Sequence, residues 1–212
     1  MSIWRRTPNA KRVPTRCLTT ARRRAAAAFA PRARREFVLC RAALRINLAE
    51  RLGCSWGRLS FGFLEHGKPY VRLSDRSVDI SFNVSHSGGH GLIAITNEAS
   101  VGVDVEERAP QRDLDGIGSL VYGPEERRLL GTASGCTKVQ IFYRLWSMKE
   151  ALIKAIGTGF SLNPSGFEVP RPMLRGERSG TFRFPHLPSQ TWRILDLGEP
   201  RFAAALAYRL SP

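Results

Sequence analysis

Two carboxylates one residue apart, Asp104 and Glu106 in the run VGVDVE, are the side chains here best suited to hold a hard cation. In an extended strand, residues i and i+2 point to the same side. Two oxygen-rich groups on one side suit Mg²⁺, and Val101, Val103 and Val105 would bury the opposite face. The plain alternative is a solvated strand edge that alternates by chance. A second set, Tyr143, Ser147, Glu150 and Lys154, is spaced four, three and four. That spacing puts them on one face of a helix, opposite an apolar stripe. Its plain alternative is a surface Glu150–Lys154 pair worth roughly 0.3–0.5 kcal/mol. Beside Asp104 and Glu106, Glu150 instead completes a three-carboxylate metal site. Lys154, and Lys149 about 100° around the helix from Glu150, are then left to meet phosphates. A third run, Phe82 to Gly89 (FNVSHSGG), leads a strand into a turn of Ser, His and Gly. Such turns aim backbone N–H groups and short donors at an anion, or are simply polar hairpins. A Ser–His hydrolase does not fit. The G-x-S-x-G elbow is missing, and Ser85 and His86 are strand neighbours that face opposite ways.

These groups need elements to carry them. Residues 33–52 predict an amphipathic helix, with Phe37, Leu44 and Leu48 on one stripe, Val38 and Leu52 beside it, and Gly53 as a stop. Short apolar or alternating runs at 81–85, 92–96 and 101–106 predict strands. Gly88, Gly89 and Gly91 punctuate the first pair, and Asn97, Glu98 and Ser100 the second. PEERRLL at 124–130 opens with Pro and acids, as a helix start does. Residues 139–156 predict the strongest helix, with Ile141, Leu145, Met148, Leu152 and Ile156 stepping by four, three, four and four until Gly157 and Gly159. Strands are expected at 181–184, 192–197 and 202–210. The class is α+β with mainly antiparallel strands.

The chain has 212 residues, enough for one large domain or two small ones. Its 33 basic and 18 acidic residues give a net charge of +15, a field that attracts nucleic acid, acidic proteins or phosphorylated cofactors. A coding bias toward Arg and Ala is the competing explanation. No apolar run approaches the roughly 20 residues of a membrane span. Cys17, Cys40, Cys54 and Cys136 form no C-x-x-C pair. The zinc signature is therefore missing, and reduced thiols in a cytoplasmic protein are expected. Residues 1–35 hold eleven Lys or Arg and no acid. That pattern is open to reading as an organellar presequence, although no signal-peptide apolar core accompanies it.

Taken together, FNVSHSGGHGLIAIT, VGVDVEE and FYRLWSMKEALIKAIGTGFSL resemble, in order and spacing, the signature of the 4′-phosphopantetheinyl transferases of the large monomeric, surfactin-synthetase-activating type. HGKPYV at 66–71 is similar to that family's G-K-P segment, and the basic helices near the start (ARRR at 21–24, then RREFVLCRAALR) are similar to its Arg-rich opening. LTTARRR departs from the acid-containing opening many members carry. The resemblance spans about residues 18–168. It implies two similar α/β halves about a pseudo-twofold axis, residues 1–100 and 101–212, with coenzyme A in the cleft between them. It implies transfer of the 4′-phosphopantetheine arm of coenzyme A to a serine of an apo acyl- or peptidyl-carrier protein, with release of 3′,5′-ADP. Mg²⁺, or Mn²⁺, would sit on Asp104, Glu106 and Glu150. Glu150, Lys154 and Asp104 would be catalytic, and Lys154 and Lys149 would lie near the pyrophosphate. His86 with Arg24 and Arg41 would meet the 3′-phosphate, Lys68 and Pro69 the adenine, and Ser85 a phosphate. Phe160, Leu162 and the segment 111–138 would offer apolar contacts. The implied partner is an acidic helical carrier domain; a monomer is expected, with no membrane and no specific nucleic acid.

Two other classes compete. A basic nucleic-acid binder has the charge for it, but the aromatics are not interleaved with the basic residues as stacking platforms, and no zinc-finger, RNP or helix-turn-helix signature appears. A metal-dependent nuclease or phosphohydrolase could use the same three acids. The G-K-P and S-H elements are what a coenzyme A enzyme needs beyond them.

Overall fold

A computed structural model of the chain describes residues 2–6, 31–97, 99–110, 113–158 and 162–211. Helix α1, Pro31–Arg51, opens on a proline, which is tolerated where the first N–H has no helical partner anyway. It buries Ala42, Ala43, Leu44, Leu48 and Ala49 against β5, Ser81–Ser87, and β6, His90–Thr96. The structure adds β1, Ser2–Arg6, antiparallel to β6, in a stretch the sequence presented only as basic. It also adds the hairpin of β2, Leu59–Phe63, and β3, Pro69–Leu73, with the short β4, Arg76–Ser77. Arg45, 4% exposed, fastens this hairpin to α1 through the Trp56 and Leu59 carbonyls.

A second sheet has the order β7-β10-β9-β8. Its strands are β7, Val101–Glu107; β8, Ser179–Phe182; β9, Trp192–Asp196; and β10, Phe202–Arg209. The strand expected at 181–184 begins and ends two residues earlier. Helices α2, Leu114–Val121; α3, Pro124–Gly131; α4, Gly135–Ile156; and α5, Arg171–Leu174 complete the order. The paired strands are antiparallel, so the fold is α+β and antiparallel.

Two cores surround the long helices. One gathers α1 with Phe82, Ile93 and Ile95, the other α4 with Ile194, Ala205 and Ala207. A third cluster, of Leu92, Ala94, Val101, Val103, Val105, Ala204 and Leu206, joins the two sheets. Helix α4 does not have one free polar face. Tyr143 and Ser147 are each 1% exposed, so the face they share with Glu150 and Lys154 is closed over at its N-terminal end. The Tyr143 hydroxyl donates to the Ala109 carbonyl at 3.2 Å. Among the described residues no helix is long and apolar enough to cross a membrane, and Cys40, Cys54 and Cys136 are free thiols.

Candidate active site

Strands β5 and β7 edge their respective sheets and run side by side in the same direction. Where they meet, side chains stand in for a backbone ladder. The Val103 N–H donates to Asn83 Oδ1 at 2.9 Å, Ser85 Oγ to Asp104 Oδ1 at 2.8 Å, and Ser87 Oγ to Glu106 Oε2 at 2.8 Å. The Glu107 N–H donates to Ser87 Oγ at 3.1 Å. Asn83, Ser85 and Ser87 alternate along β5 and so share a side. Two of these four bonds end on the acids expected to hold a metal. Such mutual coverage also keeps two edge strands from pairing with other chains.

Lys154 projects from α4 into this seam. Its Nζ lies 2.6 Å from Asp104 Oδ1 and 3.2 Å from Ser85 Oγ. Asp104 is 2% exposed, and its second oxygen, Oδ2, is buried with no hydrogen-bond partner among the described residues. Burial pushes the Glu150 carboxyl up, with the charge of Lys154 opposing the shift and those of Asp104 and Glu106 adding to it. The structure thus brings Asp104, Glu106, Glu150 and Lys154 into one electrostatic cluster. Among the described residues no three such side chains are already close enough to enclose a metal ion, since Asp104 Oδ1 is turned to Lys154 and Glu106 Oε2 to Ser87. The donor set nevertheless fits a divalent cation: hard carboxylate oxygens, one of them, Asp104 Oδ2, buried and orphaned.

On the other side of Ser85, His86 meets Phe37 edge-on with ring centres 6.4 Å apart, and the Arg41 guanidinium sits 5.4 Å over the same ring. Burial pulls the His86 pKa down; Glu36 opposes this, and the charges of Arg41 and Lys154 add to it. An anion arriving here would reverse those charge effects and favour the imidazolium.

The family model of the 4′-phosphopantetheinyl transferase superfamily matches residues 100–207, the half that carries Asp104, Glu106, Glu150 and Lys154. The chain belongs to the 4′-phosphopantetheinyl transferase superfamily. It is 35% identical over 135 residues to the 4′-phosphopantetheinyl transferase HetI of Nostoc sp., covering 63% of this chain and 56% of that protein. It is 34% identical over 126 residues to a 4′-phosphopantetheinyl transferase of Bacillus subtilis, covering 59% and 54%. The chain spans about half the length of these curated relatives. A crystal structure of a holo-(acyl-carrier-protein) synthase from Bacillus anthracis, in complex with CoA (3′,5′-ADP), aligns over 53% of this chain and 96% of that one at a TM-score of 0.41 and 17% identity.

Two lysines of this transferase-family chain have their ammonium groups bonded within the fold. Lys149 does not join the cluster. It is 2% exposed and donates to Glu126 Oε2 at 2.6 Å and to the Phe167 carbonyl. The spacing gave its angle around α4 correctly, but α3 and the segment 163–169 close over that angle. Burial pulls its pKa down while Glu126 holds it up. Lys68 spends its ammonium on backbone, donating to the Ala155 carbonyl at 2.8 Å and the Val101 carbonyl at 3.3 Å. Its stem lies against Gly157, the left-handed cap of α4 at φ +87°. Pro69 opens β3 opposite Phe63. Arg24 and Phe160 lie outside the described residues, and Leu162 packs against the core around α4. Ser87 and Asn83 were not singled out from sequence; the signal that could have found them is the polar alternation Asn83, Ser85, Ser87.

Burial lowers the Lys68 pKa to about 8, which gives a stability test. Between about 8 and the ordinary 10.5 the unfolded chain binds the extra proton, so stability should rise with pH across that window. Comparing urea unfolding of wild type and Lys68→Met from pH 8 to pH 10 isolates this contribution. Parallel pH profiles would mean that Lys68 is not buried against those carbonyls.

Proposed function

We propose that this chain is a Mg²⁺-dependent 4′-phosphopantetheinyl transferase that acts on apo acyl- or peptidyl-carrier proteins. The observation that carries the reading is the buried Asp104, which has one oxygen on Lys154 and Ser85, the other without a partner, and Glu106 and Glu150 beside it. Membership of the superfamily supports it. Asp104, Glu106 and Glu150 would hold the ion. Bound there, Mg²⁺ (or Mn²⁺) would neutralise pyrophosphate charge and act as a Lewis acid on its oxygens.

The chain's own residues then have defined work. The carrier serine hydroxyl attacks the β-phosphorus, the one esterified to pantetheine. The bond from that phosphorus to the bridging oxygen breaks, and 3′,5′-ADP leaves. Glu150 takes the serine proton, directly or through water; beside the ion and Lys154 its carboxylate would be ionised and able to accept it. Lys154 holds positive charge where the leaving phosphate gains negative charge. Arg41 and His86, with Arg24, meet the 3′-phosphate, Arg by bidentate contact; Ser85 meets a phosphate and Lys68 with Pro69 border the adenine. Coenzyme A lies between halves 1–100 and 101–212 of a surfactin-synthetase-activating type of enzyme. The net charge of +15 would steer an acidic carrier domain to a monomeric, cytoplasmic enzyme in a salt-sensitive way.

The deciding experiment incubates the protein with Mg²⁺, coenzyme A and a panel of apo-carrier proteins. A mass gain of one phosphopantetheine arm on a carrier serine, with stoichiometric 3′,5′-ADP, is the expected result. Release of 3′,5′-ADP with no carrier modified would make the chain a phosphohydrolase. No reaction with any carrier would remove the reading.

A further inference from the structure

The residues that face the seam cannot by themselves set how α4 is turned about its axis, yet that rotation decides whether Glu150 and Lys154 reach Asp104. Two contacts on opposite sides of the helix fix it. On the β7 side, Gly102 lies directly under the helix backbone. A Cβ there would fall 2.2 Å from the Ala151 carbonyl oxygen and 2.3 Å from the Ala155 nitrogen, so strand and helix touch with no side chain between them. On the α3 side, Lys149 inserts into a closed polar pocket. Glu126, 0% exposed, accepts from Lys149 Nζ and, at 2.9 Å, the Gly123 N–H through Oε2, and from the Val169 N–H at 2.8 Å through Oε1. Lys149 also donates to the Phe167 carbonyl and sits 4.5 Å over the Phe167 ring. Two chain segments, α3 and 167–169, therefore converge on one ammonium with directional bonds.

We infer that Lys149 and Glu126 are positioning residues: their buried pair, working against the Gly102 contact, locks the rotation of α4 and so holds Glu150 and Lys154 at the Asp104–Glu106 edge. The physical reason lies in what a buried ion pair can do. Its Coulomb gain is largely offset by desolvation, so it adds little stability over a well-packed apolar pair. What it adds is direction. Lys149 immediately precedes Glu150, and one helical step is about 100°, so a fixed angle for the first fixes the angle of the second. An apolar pair fills the same volume but tolerates rotation and slip.

The inference rests on the metal-dependent transfer proposed above, and its test separates the two. The double variant Lys149→Met/Glu126→Leu removes both charges at similar volume. It is expected to fold with a Tm near or above that of the wild type. Its Mn²⁺ affinity, measured by titration without coenzyme A or carrier, is expected to fall about 10- to 100-fold. Its kcat is expected to fall about 100-fold, as a shift of about 1 Å in a catalytic group can produce, while KM for the carrier stays within about twofold of wild type. A pair that only stabilised the fold would move Tm and leave these readouts alone. A folded double variant with wild-type Mn²⁺ affinity and kcat overturns the inference. Should that variant fail to fold, Glu126→Gln keeps the shape and the Val169 contact and is judged by the same affinity. Wild-type protein that binds no Mn²⁺ overturns the metal reading and this inference together.

Discussion

Asp104→Asn should lower kcat for phosphopantetheine transfer on the order of 10³-fold, the scale of losing a preorganised charge in a buried site, in a protein that still folds. Asparagine keeps an oxygen for the Ser85 hydroxyl, which donates to Oδ1 at 2.8 Å. It removes the charge opposite Lys154, whose Nζ lies 2.6 Å away. Losing that charge-assisted bond should cost about 1.5–3 kcal/mol, less a rebate from the neighbouring acids. Asp104 is one of the charges that raise the Glu150 pKa, so the variant relieves repulsion there. The sign can be worked out. A carboxyl with a raised folded pKa adds stability below its unfolded value, and that stability is lost as pH rises through the folded value. In the variant the Glu150 pKa moves back toward 4.5, and this pH-dependent window narrows. Three measurements check the expectation: kcat at saturating coenzyme A and carrier, Tm, and the carboxyl titration of Glu150 followed by NMR. Retained kcat within about tenfold of wild type would remove Asp104 from the chemistry, whatever happened to Tm.

The parts of the site legible in sequence are those set by local periodicity. A two-residue step puts Asp104 and Glu106 on one side of a strand, and a four-residue step puts Glu150 above Lys154 on a helix. The structure carries these pairs on β7 and α4. Lys149 shows where such reasoning stops. Periodicity gives the direction of its side chain and says nothing of what packs there, which is a carboxylate 23 residues away in sequence. The seam was hidden for the same reason. Ser85 and Ser87 read as turn donors, but their partners lie on a strand 19 residues on. Strand β1 pairs with β6 across some 90 residues, Ser2 opposite Ile95, and SIWRR has no alternation to announce it. The hairpin of β2 and β3 escaped notice because its apolar residues mix buried with exposed: Leu59 is 3% exposed and Val71 0%, but Phe63 is 64%. Long-range contacts decide each of these, and no local pattern encodes them.

Gly102→Val should be the most damaging single substitution away from the charged groups, costing roughly 3 kcal/mol, at the upper end of what overpacking costs. Valine is the better strand former, but that preference is worth at most about 1 kcal/mol. Against it stands a Cβ 2.2 Å from the Ala151 oxygen, 2.3 Å from the Ala155 nitrogen and 2.8 Å from the Lys154 carbonyl carbon. All three are backbone atoms of α4, so no side chain can swing aside and the helix itself must lift or turn by about 1 Å to reach ordinary contact. Lys154 belongs to the displaced turn and Glu150 to the one before it, whereas Asp104 stays on the strand that pushes. The 2.6 Å ion pair between Lys154 and Asp104 should lengthen, and kcat should fall about 100-fold even where enough protein stays folded to assay. Urea unfolding gives the first number and turnover at saturating substrate the second. Gly102→Ala should show both effects more mildly, because it adds the clashing Cβ without the two methyls. A valine variant within about 0.5 kcal/mol of wild type, the range of ordinary surface changes, would mean that α4 does not rest on β7 through this glycine. The rotation of the helix would then have to be fixed from the Lys149 side alone.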